Sequence, residues 1–271
     1  MTAATLEEKP MTDEEIAAQR TGLNMVPAPT GAVVALSGGQ DSTTCLYYAR
    51  AKYAPVRAVS FDYGQRHAIE LRAAREIAEG AGVEWTCLKV PALAEMADAG
   101  LTSPDIAIAA DATDTGNTYA AERGLPSSFV PGRNAVLLSL AAAYGLPRNL
   151  TTLVTGVCQE DRAGYPDCRG EFVRALEVCL RVGMDHPGFT IDAPLLTKSK
   201  VETWQLAHDL GEDCYDAVLR DSHTCYEGDH RTENEWGHGC GKCPACELRR
   251  DSFYEWRANA ELARPIFPGT H

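Results

Sequence analysis

The chain has 271 residues, 45% hydrophobic and 23% charged, enough for a substantial core in one large α/β domain or two modest ones. Its formal net charge of −13 lacks the basic balance of a polynucleotide-gripping protein, so no stable nucleic-acid partner is expected and small-molecule chemistry is favoured. No stretch approaches the roughly 20 apolar residues of a membrane span. The acidic start (Glu7, Glu8, Asp13, Glu14, Glu15) does not read as a signal peptide, and the expectation is a cytoplasmic protein without a membrane partner.

Residues 1–30 read as an N-terminal extension. A capping box at Thr12-Asp13-Glu14-Glu15 predicts a short helix, and Pro27 and Pro29 then break the chain. From Gly31 the pattern alternates β and α. The apolar run 32–36 predicts a buried parallel strand ending at a Ser-Gly-Gly turn, and a helix follows to about Lys52. Residues 56–61 predict a second strand, 67–81 an amphipathic helix closed by Gly82, and 85–90 a third strand. The stretch 100–128 is less regular and suggests a loop or lid. A helix over 134–145, a fourth strand over 151–155, a polar loop over 156–169, and helices over 170–182, 199–210 and near 246–260 complete the chain. This alternation implies a parallel sheet flanked by helices, with a nucleotide-binding α/β domain over 31–195 and a C-terminal helical region over 196–271.

Ser37-Gly38-Gly39-Gln40-Asp41-Ser42 stands at a strand end and opens a helix. Two glycines let backbone amides turn toward an anion, the helix N-terminus adds partial positive charge, and Ser37 and Ser42 add hydroxyls. Asp41 beside phosphates needs a cation, and Mg²⁺ is the natural candidate. The loop is not the G-x-x-x-x-G-K-[ST] phosphate loop. It resembles the S-G-G-x-D-S pyrophosphate loop of enzymes that split ATP between the α- and β-phosphates, where an anion attacks the α-phosphate and pyrophosphate leaves.

Four further segments narrow the resemblance. They are Phe61-Asp62-Tyr63-Gly64-Gln65-Arg66-His67; Phe129-Val130-Pro131-Gly132-Arg133-Asn134; Gly156-Val157-Cys158 with Gly164-Tyr165-Pro166-Asp167-Cys168-Arg169; and Thr224-Cys225-Tyr226 leading to Gly239-Cys240-Gly241-x-Cys243-x-x-Cys246-x-Leu248-Arg249. With Lys200-x-Glu202-Thr203-Trp204, the chain over about 31–250 resembles the 7-cyano-7-deazaguanine synthase family of the queuosine route. The first 30 residues, and the acidic insert over 227–238, depart from that pattern.

The resemblance implies an adenine nucleotide alpha hydrolase-like, Rossmann-like fold and a homodimer. It implies that 7-carboxy-7-deazaguanine is adenylated by ATP, converted by ammonia to an amide, adenylated again and released as a nitrile. Arg133, at a helix start, suits a phosphate or the substrate carboxylate, the alternative being a surface ion pair. Lys200 suits the α-phosphate or pyrophosphate, with Lys198 as competitor and a solvated helix residue as alternative. Asp62, Tyr63, Gln65, Arg66 and His67 follow a strand's C-terminal end, where open α/β sheets bind ligands. Asp62 is expected at the nucleotide, Tyr63, Gln65 and Arg66 at the substrate, and His67 as a proton carrier. Tyr165, Asp167 and Arg169 are expected to meet the deazaguanine by stacking and by its donor edge, or to form a turn capping the next helix.

Of ten cysteines, Cys45, Cys87, Cys158, Cys168, Cys179 and Cys214 are expected as small buried hydrophobes. The other four form Cys225-x₁₄-Cys240-x₂-Cys243-x₂-Cys246, a spacing suited to a closed, structural Zn²⁺ site, with an iron–sulfur cluster as competitor. His223, His230 and His238 are expected as exposed loop residues, the alternative being that one of them replaces a cysteine ligand. The competing functions are another pyrophosphate-loop enzyme, such as a tRNA sulfurtransferase, and a non-catalytic nucleotide and zinc sensor.

Overall fold

The computed structural model describes residues 31–64, 69–93, 117–159 and 164–262. The N-terminal extension and its capping-box helix lie outside the described residues, as does most of the irregular stretch before Asn117. Five strands form one wholly parallel sheet: β1 (Ala32–Ala35), β2 (Val56–Asp62), β3 (Glu84–Lys89), β4 (Thr152–Val154) and β5 (Thr190–Asp192). Their order is β3-β2-β1-β4-β5. Between them run α1 (Gln40–Lys52), α2 (Ile69–Gly80), α3 (Thr118–Ala121), α4 (Arg133–Gly145) and α5 (Gly170–Gly183). After the sheet come α6 (Lys200–Asp209), α7 (Glu212–Asp216), a π-helical turn (Ala217–Asp221), a hairpin of β6 (Glu233–Asn234) and β7 (Gly237–His238), and α8 (Pro244–Leu262).

The alternating side chains of the strands sort the core into two layers. Val33 and its register partner Leu153 face Leu138, Ala141 and Ala142 of α4 and Leu176 and Leu180 of α5. Val34 and its partners Ala58 and Val154 face the opposite way, onto α1, α2 and the C-terminal helices. In α2, Ala73, Ala74, Ile77 and Ala78 make the buried stripe, while Arg72–Glu76 and Arg75–Glu79 pair on the wet face. The same hydrophobic layer continues from Leu46 and Leu195 into Trp204, Val218, Phe253 and Trp256. Each fully buried side chain of this size contributes about 1.5–3 kcal/mol.

The sequence expectations for β1 to β4 and for α1, α2, α4, α5, α6 and α8 match these elements within a few residues. The sequence pattern does not predict β5. It has three residues, two of them polar, and is held as a strand by pairing with β4, a non-local cause. The expected burial of the dispersed cysteines holds for Cys45, Cys158 and Cys214 but not for Cys179, which is exposed, nor for the half-buried Cys87 and Cys168. Cys179 lies on the outer face of α5 beside Val178 and Val182, also exposed. Among the described residues, no helix is long and apolar enough to cross a membrane.

The chain builds β1, β2 and β3 outward, then returns past β1 to lay down β4 and β5 on the other side. Loops after β1 and β4 therefore diverge and leave a crevice at the carboxyl edge of the sheet, where such folds bind ligands.

Candidate active site

The turn from β1 into α1 lies at that crevice. Gly38 has φ +87°, and a Cβ there would stand 2.4 Å from the Glu70 carbonyl oxygen and 2.8 Å from the Ala74 nitrogen. Only glycine lets the loop lie this close to α2. Gly39 is the N-cap of α1 and no side chain caps it, which leaves the helix start suited to an anion. The Ser37 and Ser42 hydroxyls lie 3.0 Å apart, and Ser42 Oγ also donates to the Gly39 carbonyl (3.1 Å) and accepts from the Ser37 amide (3.2 Å). The two serines thus brace the loop. From the far end of the chain, the His223 amide donates to the Gly38 carbonyl at 2.8 Å.

Asp41 Oδ2 pairs with Lys200 Nζ at 2.5 Å, with only 23% and 15% of the two side chains exposed. The cation that a carboxylate at this loop requires is in part the chain's own ammonium. Lys200 is the first residue of α6, fixed by a capping box in which Ser199 Oγ accepts from the Glu202 amide and Glu202 accepts from the Ser199 amide. Lys198, its competitor, is not on the cavity wall, and its carbonyl accepts the Cys158 thiol. Asp41 Oδ1 is buried without a hydrogen-bond partner, as is Gln40 Nε2.

A cavity of about 390 Å³ opens from the loop. Its wall brings together Ser37, Gly39, Gln40, Asp41 and Ser42 with Tyr63, Arg133, Tyr165 and Lys200. Arg133 begins α4 and bonds Tyr63; burial opposes its charge, while Tyr63, Tyr165 and Asp167 hold it in the charged form. Tyr165 meets Ser128 Oγ at 2.5 Å, and its ring tilts against Phe129 at 6.2 Å. Burial raises the phenol pKa of both Tyr63 and Tyr165.

Other predicted residues lie off this wall. Asp62 turns back on its own loop, accepting from the Gly64 amide at 3.4 Å. Asp167 is buried, its pKa raised by desolvation against the pull of Arg133, and Oδ2 accepts from the Asn134 amide at 3.4 Å. It therefore caps the start of α4, the helix before it in sequence rather than the one after. Arg169 is exposed at the N-cap of α5, and Gly38 stands behind the loop. Gln65, Arg66 and His67 lie outside the described residues.

Two charged wall residues carry no sequence-based role. Glu70, in the first turn of α2, has its carboxyl pushed up to about 7 by burial, with Arg133 pulling it down. Arg249 is 1% exposed. Its guanidinium donates to the carbonyls of Trp236, Val218 and Leu219 and to the hydroxyls of Ser222 and Thr224. Arg249 thereby ties α8 and the π-helical turn to the segment that clasps Gly38. Its place in the cysteine-rich motif was the available signal; its partners are distant in sequence.

The sulfur atoms of Cys225, Cys240, Cys243 and Cys246 all lie within 4.8 Å of one another. Tetrahedral zinc with bonds of about 2.3 Å sets its sulfurs about 3.8 Å apart, so the four thiols fit such an ion. Gly239, with φ +153°, passes so close that a Cβ would be 2.6 Å from Cys246 Sγ. Hydrogen bonding from Cys246 lowers the Cys243 pKa toward the thiolate a metal needs. The expectation that the three histidines are exposed fails: His223 is 2% exposed and stacks near His230, which packs on half-buried His238. Of the three, His223 lies against the Gly38–Gly39 turn, and the metal-capable cluster consists of the four thiols alone.

An open parallel sheet whose switch point carries an anion-ready loop, flanked by Lys200 and Arg133, defines a nucleotide-handling α/β protein. The family model "Queuosine biosynthesis protein QueC" matches residues 31–257. A 7-cyano-7-deazaguanine synthase of Rhodopseudomonas palustris is 44% identical over 236 residues, covering 83% of this chain and 94% of the relative. The synthase of a Bradyrhizobium species is 44% identical over 238 residues, 84% and 94% of the two chains. That of a Caulobacter species is 45% identical over 239 residues, 84% and 90%. The chain belongs to the QueC family of queuosine biosynthesis proteins.

Proposed function

We propose that this chain is an ATP-dependent carbon–nitrogen ligase that makes 7-cyano-7-deazaguanine from 7-carboxy-7-deazaguanine and ammonia. The observation that carries the reading is the convergence of the Ser37–Ser42 loop, Arg133 and Lys200, from three distant parts of the sequence, on one cavity. Family membership supports the substrate.

The loop and the N-terminus of α1 hold the β- and γ-phosphates of ATP as the leaving pyrophosphate. Lys200, steadied by Asp41, offsets the charge that grows at the α-phosphate. Arg133 orients the substrate carboxylate for attack, and Tyr63 and Tyr165 present aromatic faces to the deazaguanine ring. Carboxylate oxygen attacks the α-phosphorus and pyrophosphate departs; ammonia then displaces AMP to give the amide. In a second round the amide oxygen is adenylated, and loss of AMP with the nitrogen's protons leaves the nitrile. Asp41, through its unpartnered Oδ1, is the residue that would hold Mg²⁺, which supplies charge neutralisation on the polyphosphate when bound. Cys225, Cys240, Cys243 and Cys246 would hold Zn²⁺, which would supply a structural staple when bound. The protein is read as a cytoplasmic homodimer, following the family resemblance.

The test is mass spectrometry of products after mixing the protein with 7-carboxy-7-deazaguanine, ATP, Mg²⁺ and ammonium. Nitrile with AMP and pyrophosphate is the expected result. A folded, metal-loaded sample that yields neither amide, nitrile nor AMP rules this substrate out.

A further inference from the structure

Glu70 has no place in the chemistry above, yet it stands on the cavity wall in the first turn of the amphipathic helix that packs against the phosphate loop. Its backbone lies under Gly38, and its side chain shares the cavity with the guanidinium of Arg133. Arg133 is the group that would orient the substrate carboxylate, and Glu70 lines the same cavity, which would bring its carboxyl to the side of the substrate where ammonia must attack. That attack creates a nitrogen with one proton too many.

We propose that Glu70 is a catalytic base of the amide-forming step, taking the proton that the ammonia nitrogen sheds when it displaces AMP. This inference rests on the synthase reading. In the step, the nitrogen lone pair forms the C–N bond and the C–O bond to AMP breaks, its electron pair leaving on AMP. One N–H proton passes to the Glu70 carboxylate and from there to solvent. No oxidant or reductant is required.

The surroundings suit the task. Among the described residues, the charged and titratable groups facing Glu70 are Arg133 of α4 and Tyr63 from the loop after β2, with Asp41, Lys200 and Arg249 on other parts of the same wall. Burial brings the carboxyl to about 7, so near neutral pH it is part carboxylate and a stronger base than an exposed glutamate. The carboxylate form grows as pH rises through 7, which sets the sign of the rate dependence.

The experiment separates the two chemical stages. With 7-carboxy-7-deazaguanine and ATP but no ammonium, pyrophosphate release reports adenylation. With ammonium added at constant free ammonia from pH 6 to 9, amide appearance reports the second stage. Glu70→Gln should change adenylation by less than about 3-fold yet slow amide formation by about 10²–10⁴-fold and remove its rise near pH 7. Glu70→Asp should recover part of the rate and restore the pH limb. Amide formation by Glu70→Gln at the wild-type rate and with the wild-type pH profile overturns the proposal. Equal losses in both stages also overturn it, because Glu70 would then only position Arg133 or the loop. Wild-type protein that releases no pyrophosphate in the first assay refutes the synthase reading itself.

Discussion

Asp41 and Lys200 are 159 positions apart and meet at 2.5 Å beside the phosphate loop. Alone, either would be costly: a carboxylate repels phosphate, and a long flexible ammonium seldom holds one place. Together, under the proposed function, they would fix a positive charge where negative charge develops. Asp41→Ala is therefore expected to lower AMP formation by at least about 10³-fold, and Lys200→Met to lower the rate of pyrophosphate release by about 10²–10³-fold. Because the two act as a unit, the double variant should be little worse than the weaker single one in a double-mutant cycle of kcat values. Full additivity of the two losses would show that the pair is incidental.

The β1–α1 turn works as an element because α2 packs against its back. Gly38→Ala would force a Cβ into the backbone of α2, at the Glu70 carbonyl and the Ala74 nitrogen, in a region of φ that side chains avoid. Backbone atoms of a packed helix cannot swing aside as a flexible side chain can. The variant should lose about 1–3 kcal/mol of stability in urea unfolding and bind ATP at least tenfold more weakly by calorimetry. Unchanged values in both would mean that loop and helix are not in contact. The π-helical turn shows the same economy, since its irregular carbonyls at Val218 and Leu219 are what Arg249 holds.

Across the whole molecule, the cysteine cluster is joined to the phosphate site. Cys246 and Arg249 share α8, Arg249 bonds Ser222 and Thr224, and His223 between them holds Gly38. Cys243→Ser removes one of the four thiols placed to hold a metal, and the consequence should reach beyond the cluster. Metal analysis is expected to show loss of the ion, with a fall in Tm of roughly 10 °C and weaker ATP binding. A variant that keeps its metal contradicts the four-thiol assignment, and one that loses metal but binds ATP normally breaks the link to the loop.

The phosphate loop and the cysteine cluster were legible in the sequence because each is a local pattern. A Ser-Gly-Gly turn at a strand–helix junction, or three cysteines with two residues between neighbours, carries its chemistry in its spacing. The alternation of apolar runs and amphipathic helices likewise determined the parallel sheet, since burial on both faces dictates that periodicity. Only the tertiary structure decided which lysine meets Asp41, placed Asp167 under α4 rather than on the cavity wall, and turned Glu70 into the cavity. It also made a strand of 190–192 and buried His223 beneath the loop. These outcomes depend on contacts between residues far apart in the chain, which close only when the sheet forms and the C-terminal helices fold back over its face.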